Sequence, residues 1–175
     1  MIKIIATLLT IFAFSTSHAK KVNVGIILGF TGPIESLTPD MAAGAELAFS
    51  EASNSGNLLN GSKINVIRAD STCIDSAAAT SAAEGLVSQG VTAIMGADCS
   101  GVTGAILSNV AVPNGVPMIS PSATSPGLTT AEDNGLFFRT APSDARGGEV
   151  LADITADRGI TSVAITYVNT DYGVG

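Results

Sequence analysis

Residues 91–110 read VTAIMGADCSGVTGAILSNV, and this stretch decides the fold. Residues 91–97 are a short apolar run of strand length. From Ser100 the small and apolar residues continue as a helix, which the sequence predicts to end before Pro113. A strand, a tight turn and a helix make the first half of a βαβ unit. The turn carries Cys99 and Ser100 between Asp98 and Gly101. A Cys-Ser pair at such a turn leaves several chemistries open: a nucleophile, a metal ligand, a phosphate cradle or an anchor for something else.

The same alternation extends in both directions. Upstream, VNVGIIL (22–28) is a β-branched strand, and TPDMAAGAELAFSEAS (38–53) is a helix. Thr38 is its expected N-cap, Pro39 its first helical residue, and Asp40 lies in its first turn. Met41, Ala45, Ala48 and Ala52 share one helical face. KINVIRAD (63–70) is a second strand, and residues 75–90 form a helix capped by Asp75 and stopped at Gly90. Downstream, VPMISP (116–121) is a fourth strand. Strands alternating with helices predict an α/β fold with a Rossmann-like parallel sheet flanked by helices. Past residue 140 the pattern starts again. GLFFRTAPSD holds a Pro-containing turn, residues 144–159 form a helix, and SVAITYV (162–168) reads as a strand. One helix and one strand cannot bury their own faces. The chain therefore reads as the N-terminal portion of a longer protein. Residues 20–140 form its first unit, and 141–175 the incomplete start of a second. The competing arrangement adds strand 162–168 to the first sheet.

The N-terminus reads as a leader. Lys3 precedes the apolar run IIATLLTIFAF, and STSHA ends in a small-residue pattern, so cleavage is expected after Ala19. A membrane anchor would need about 20 apolar residues. Loss of the leader removes His18, the only histidine in the chain. Ser-His-Asp and Cys-His nucleophilic sites and His-containing zinc sites are then excluded within this chain. The formal charge is −7 over the whole chain and becomes −8 once Lys3 leaves with the leader. No basic patch and no phosphate-loop motif occur, so neither nucleic acid nor an anionic membrane surface is an expected partner. Neither a cofactor nor a metal is expected, and the acidic, tryptophan-free composition fits a monomer. Export also bears on Cys73 and Cys99, the only two cysteines. In an oxidising compartment an even pair reads as a disulfide, worth ~3 kcal/mol for a loop of this length. The alternative is two unrelated buried thiols.

Five segments occur in order: GFTGPIESLTPDMAAGAELAFSEA, ADSTCIDSAAATSAAEGLVSQGVTAIMGADCS, MISPSATSPGLTT, FFRTAPSDARGG and VNTDYGVG. As a set they resemble the type I periplasmic substrate-binding proteins of ABC transporters, in particular the branched-chain (leucine/isoleucine/valine) amino-acid binders. The resemblance covers the chain from about Val22 onward. It implies two Rossmann-like lobes joined by a hinge, with 20–140 as the ligand-binding lobe and 141–175 as the hinge-proximal start of the second. It implies a periplasmic protein that binds an amino acid without catalysis and delivers it to a membrane permease and ATPase pair. Carried over residue by residue, it implies that Ser100 and Gly101 receive the ligand carboxylate at a helix N-terminus. From the residues alone, Ser100 reads rather as only a cap. In the SPSATSP loop, Ser122, Ala123 and Thr124 are implied to hold the ammonium and share in the carboxylate; the alternative is a ligand-free Ser/Pro turn. Tyr172 is implied to cover the ligand from across the cleft, or is otherwise an interfacial core residue. Asp144 either supports the ammonium side or caps a helix.

One departure is Leu37, which stands where the branched-chain binders carry an aromatic in the first strand-to-helix loop. The wall stays apolar but changes shape. Other functions stay open on the sequence: a sensor or receptor ectodomain on the same fold, or a binder of an amide, urea or short-chain acid. An enzyme on a Rossmann-like sheet would need a G-x-G-x-x-G turn after strand one, and GFTGPIES does not supply it.

Overall fold

The structure is a computed structural model that describes residues 21–58 and 61–175. The expected leader and its cleavage point lie outside the described residues. Five strands form one sheet: β1 (Lys21–Leu28), β2 (Lys63–Asp70), β3 (Val91–Gly96), β4 (Met118–Ser120) and β5 (Phe137–Arg139). Their order is β2-β1-β3-β4-β5 and every pairing is parallel. The parallel sheet expected from the alternating pattern is therefore present.

Burial explains the order. In β1, residues Val24 through Leu28 are all buried, as a strand covered on both faces requires. Ile26 and Leu28 pack with Ala42 of α1 (Thr38–Asn54) on one face of the sheet. Ile27 points the other way, into a larger core with Ile94, Leu86 of α2 (Ser76–Ser88), and Val102 and Ile106 of α3 (Ser100–Ile106). Ala79 and Ala83 are wholly buried, so their small side chains let α2 lie close on the sheet. At the end of β3, Gly96 takes φ +129°, and a β-carbon there would stand 2.0 Å from the Ile27 carbonyl oxygen. Only glycine fits at this crossing of two strand ends.

Four details differ from the sequence expectation. Thr38 is not the N-cap of α1; Leu37 holds that position without a side-chain cap bond. The Thr38 hydroxyl instead donates to the Gly29 carbonyl at 3.1 Å, tying the helix start to the loop after β1. The third helix does not stop before Pro113. It widens into a π-helical turn, Leu107–Ala111, and continues as α4 (Val112–Asn114). Proline gives no N–H and crowds the carbonyl one turn back, and the wider turn makes room for it. Gly115, at φ +64°, then closes the helix, with Val116 N–H donating to Ala111 O at 2.9 Å. The segment FFR is a true edge strand, because Met118, Ile119 and Ser120 pair with it. Residues 162–168 form no strand. Val163, Ile165, Tyr167 and Val168 are all more than half exposed, and strand character needs a neighbouring ladder that they do not have. The arrangement in which this segment extends the first sheet is therefore not adopted.

Candidate functional site

Strands β1, β3 and β4 end on the same side of the sheet, where an open α/β sheet presents its ligand crevice. A cleft of about 730 Å³ opens there. Its lining includes Leu37, Ser100, Gly101, Ser122, Thr124, Asp144 and Tyr172, together with Cys73 and Cys99. Of the residues carried over by resemblance, only Ala123 lies off the lining. It is completely buried, its N–H donates to Ser120 Oγ at 2.9 Å, and its carbonyl accepts from Arg139. Its place is inside the loop rather than against a ligand.

The floor of the cleft is the turn between β3 and α3. Cys99 occupies the N-cap position in extended conformation without a side-chain cap bond, and Ser100 is the first helical residue. Ser100 is therefore not an N-cap. Its hydroxyl is buried and accepts from the Ser125 N–H at 3.1 Å. The hydroxyl proton is thus directed away from Ser125 and can be donated to another group. Gly101 leaves the approach to the helix start narrow but unblocked by a side chain of its own. A β-carbon there would stand 3.1 Å from Asp171 Oδ2 in α6 (Asp171–Val174).

Asp98, which sequence reasoning passed over, organises this turn. It is 3 % exposed. Its Oδ2 accepts from Gly29 N–H at 2.7 Å, and its Oδ1 accepts from Cys99 N–H at 3.0 Å and the Ser71 hydroxyl at 3.2 Å. Its carbonyl accepts from the Ser122 hydroxyl at 2.9 Å. One residue thus joins the loops that follow β1, β2, β3 and β4. The available signal was an acidic residue directly after an apolar strand, where a carboxylate needs several donors to be buried.

Cys73 and Cys99 are joined by a disulfide, with 5.2 Å between their Cα atoms. The bridge fastens the loop after β2 to the start of α3. Ile74 follows Cys73 into the cleft and is exposed. With Ile34, Leu37 and Met41 it gives the lining its apolar wall. Other lining residues are polar. The Thr124 hydroxyl donates to Asp144 Oδ2 at 2.6 Å, and Asp144 N–H donates to the Thr124 carbonyl at 3.0 Å. Asp144 does not cap its own helix, α5 (Asp144–Asp157); Ser143 does, by accepting from Ala145 N–H. Both oxygens of the Asp144–Thr124 pair keep lone pairs for a cation. Tyr172 is more than half exposed at the mouth of the cleft. Among the described residues no group of His, Cys, Asp or Glu is placed to hold a metal ion.

Asp70, at the end of β2, ties the loop after β1 to the loop after β2. Burial acts to raise its pKa. Hydrogen bonds from the Thr31 hydroxyl at 2.6 Å, Thr72 N–H at 2.9 Å and Thr31 N–H outweigh burial and lower it. A carboxylate with a lowered folded-state pKa stabilises the fold above its unfolded value, and that contribution is lost as pH falls through the folded one. Asp70→Asn should therefore lower the urea midpoint at neutral pH and bring the variant and parent together in acid. Equal midpoints at neutral pH would show that these bonds contribute nothing.

Residues 21–175 match a family model described as periplasmic binding protein. The chain is 31% identical over 165 residues to a Leu/Ile/Val-binding protein homolog of Brucella melitensis, covering 93% of this chain and 43% of that one. It spans less than half the length of this curated relative. Two solved structures share the fold. One is a branched-chain amino acid transporter substrate binding protein from Streptococcus pneumoniae in complex with isoleucine. It matches at TM-score 0.69 and 31% identity, over 79% of this chain and 39% of that one. The other is a solute binding protein of an ABC transporter from Rhodopseudomonas palustris in complex with 3,4-dihydroxy benzoic acid. It matches at TM-score 0.75 and 25% identity, over 88% of this chain and 41% of that one. The chain belongs to the periplasmic binding protein family.

Proposed function

We propose that this chain, as a member of the periplasmic binding protein family, forms the first half of the site of an exported protein that captures an amino acid, branched-chain or similarly apolar, for uptake by an ABC transporter. Residues 20–140 are the ligand-binding lobe, and 141–175 are the hinge-proximal start of a second. Export follows cleavage after Ala19. The protein works as a monomer that binds rather than transforms its ligand, and its macromolecular partner is a permease and ATPase pair, not nucleic acid.

The observation that carries this reading is the division of the cleft into three chemistries. An α-amino acid needs donors for a carboxylate, acceptors for an ammonium and apolar surface for its side chain. The Ser100 hydroxyl and the first N–H groups of α3 supply donors. Thr124 Oγ1 and Asp144 supply acceptors. Leu37, Ile34 and Ile74 supply the apolar surface. Asp171 sits close to Gly101, so a ligand carboxylate at the helix start would meet a like charge there.

A second reading has one specific support, the relative in complex with 3,4-dihydroxy benzoic acid. An aromatic acid would use the same carboxylate donors but leave Asp144 without a cation. Calorimetric titration of the full-length, two-lobed protein with leucine, isoleucine, valine and 3,4-dihydroxybenzoate separates the two. Binding of the acid and of none of the amino acids would overturn the amino-acid reading. Ser100→Ala should weaken amino-acid binding by roughly 1–3 kcal/mol, the cost of leaving a charged group short of a donor. Unchanged affinity would remove Ser100 from the site.

A further inference from the structure

We propose that Arg139 is the positioning residue of the ligand site, acting from beneath the loop 120–129 without touching ligand. This inference rests on the amino-acid reading of the cleft. Arg139 ends β5, the edge strand, and its side chain turns under the loop that leaves β4. One guanidinium nitrogen donates to the Ser125 carbonyl at 2.9 Å and to the Ala123 carbonyl at 3.3 Å. The other donates to the Thr129 hydroxyl. Arg139 is not among the residues that line the cleft.

The two carbonyls it holds lie on either side of Thr124. The Ala123 carbonyl belongs to the peptide unit that enters Thr124 and the Ser125 carbonyl to the unit that leaves Ser125, so holding both brackets the Thr124–Ser125 unit and directs the Thr124 hydroxyl toward Asp144 and the cleft. The bracketed Thr124–Ser125 peptide unit also matters on the other side. Its N–H donates to Ser100 Oγ, and that bond sets the direction in which the Ser100 hydroxyl can donate. The carboxylate donor at Ser100 and the ammonium acceptors at Thr124 and Asp144 thus depend on one half-buried cation-to-carbonyl contact. A planar guanidinium spans three acceptors at fixed angles. An ammonium is a point charge and cannot hold the same three in the same geometry. The sequence contains this residue in FFRTAPSD, but nothing in the spacing ties an arginine on one strand to the loop leaving the previous one.

The test compares the full-length parent, carrying both lobes, with its Arg139→Lys and Arg139→Gln variants in two independent measurements. The first is amide hydrogen exchange without ligand. The Ser125 N–H should exchange about tenfold faster in both variants, while amides in β1 and β3 keep their parent rates, because only the loop is released. Unchanged exchange at Ser125 overturns the proposal whether or not any ligand binds. The second is titration with leucine, including Ser100→Ala and the double variant. Arg139→Lys should bind roughly tenfold more weakly while staying folded, with only a small fall in urea midpoint, as loss of charge-assisted bonds confined to one loop predicts. Its effect should shrink in the Ser100→Ala background, because the two residues act through one contact. Full additivity would overturn the coupling. Faster exchange at Ser125 combined with no amino-acid binding by the parent would leave the positioning role standing and reject the amino-acid reading instead.

Discussion

Asp98→Ala is expected to lower the unfolding free energy by at least about 3 kcal/mol, because it strands three buried donors at once. The Gly29 and Cys99 N–H groups and the Ser71 hydroxyl all point at this carboxylate, which is 3 % exposed. Water cannot replace it without opening the junction of the loops after β1 and β3. Alanine removes the acceptor and leaves a void in its place. Asp98→Asn should cost less, but not nothing. An amide can keep its oxygen toward Ser71 and Cys99, but its NH₂ then faces the Gly29 N–H, donor against donor. Chemical denaturation of the three proteins is the direct measurement. The expected order is parent, Asp98→Asn, Asp98→Ala, and a loss under about 1 kcal/mol for alanine would show that the donors find other partners. Binding should fall with stability, because the Asp98 side chain holds in place the turn whose backbone carbonyl accepts from the Ser122 hydroxyl and which leads into Cys99 and Ser100.

The fold was legible because its signals are local. A continuous apolar β1, an acidic N-cap at Asp75 and small residues on α2 each act within a few positions, and together they specify a covered parallel sheet. Asp75 caps α2 through Ala77 and Ala78 N–H, as the sequence predicts. The misread details all depend on partners far along the chain. Thr38 left the cap position because Gly29 offered it a carbonyl, and residues 162–168 have the composition of a strand but no neighbour to pair with. Pro113 ended the helix in sequence logic because a π turn is not encoded by any residue type alone.

The candidate site was proposed in outline for a different reason. Ser100, Thr124 and Asp144 converge in one cleft, but their spacing in sequence does not place them there. Resemblance to a known family brought them together, and the residues alone left Ser100 as a cap candidate. What stayed hidden was the support beneath them. Asp98 and Arg139 make contacts over long sequence separations, 69 residues in the case of Asp98 and Gly29. No local pattern reports such a contact. The apolar wall is intermediate: Leu37 was in view, whereas Ile74 joins it only because the disulfide carries the β2 loop over α3.

Replacing both Cys73 and Cys99 by serine is expected to lower the melting temperature by roughly 6–12 °C, from ~3 kcal/mol of loop-closure entropy restored to the unfolded chain. A counter-effect limits this loss. Thr72 and Cys73 both adopt left-handed backbone, at φ 58° and φ 69°, a conformation unfavourable for a β-branched residue. Asp70 and Thr72 hydrogen bonds hold the turn, and the bridge holds its far end. With the bridge gone, that turn is free to relax into ordinary backbone, which recovers part of the stability. The same relaxation should harm binding more than folding. Ile74 would leave the apolar wall, and Cys99 would no longer fix the residue before Ser100. The unliganded protein would then have to order both segments at the moment of binding, at a cost that the bridged protein meets in advance. Affinity for leucine should therefore fall in the double variant even at temperatures where it is fully folded. A lowered melting temperature with unchanged affinity would limit the bridge to stability, and an unchanged melting temperature would show that the open chain holds this geometry unaided.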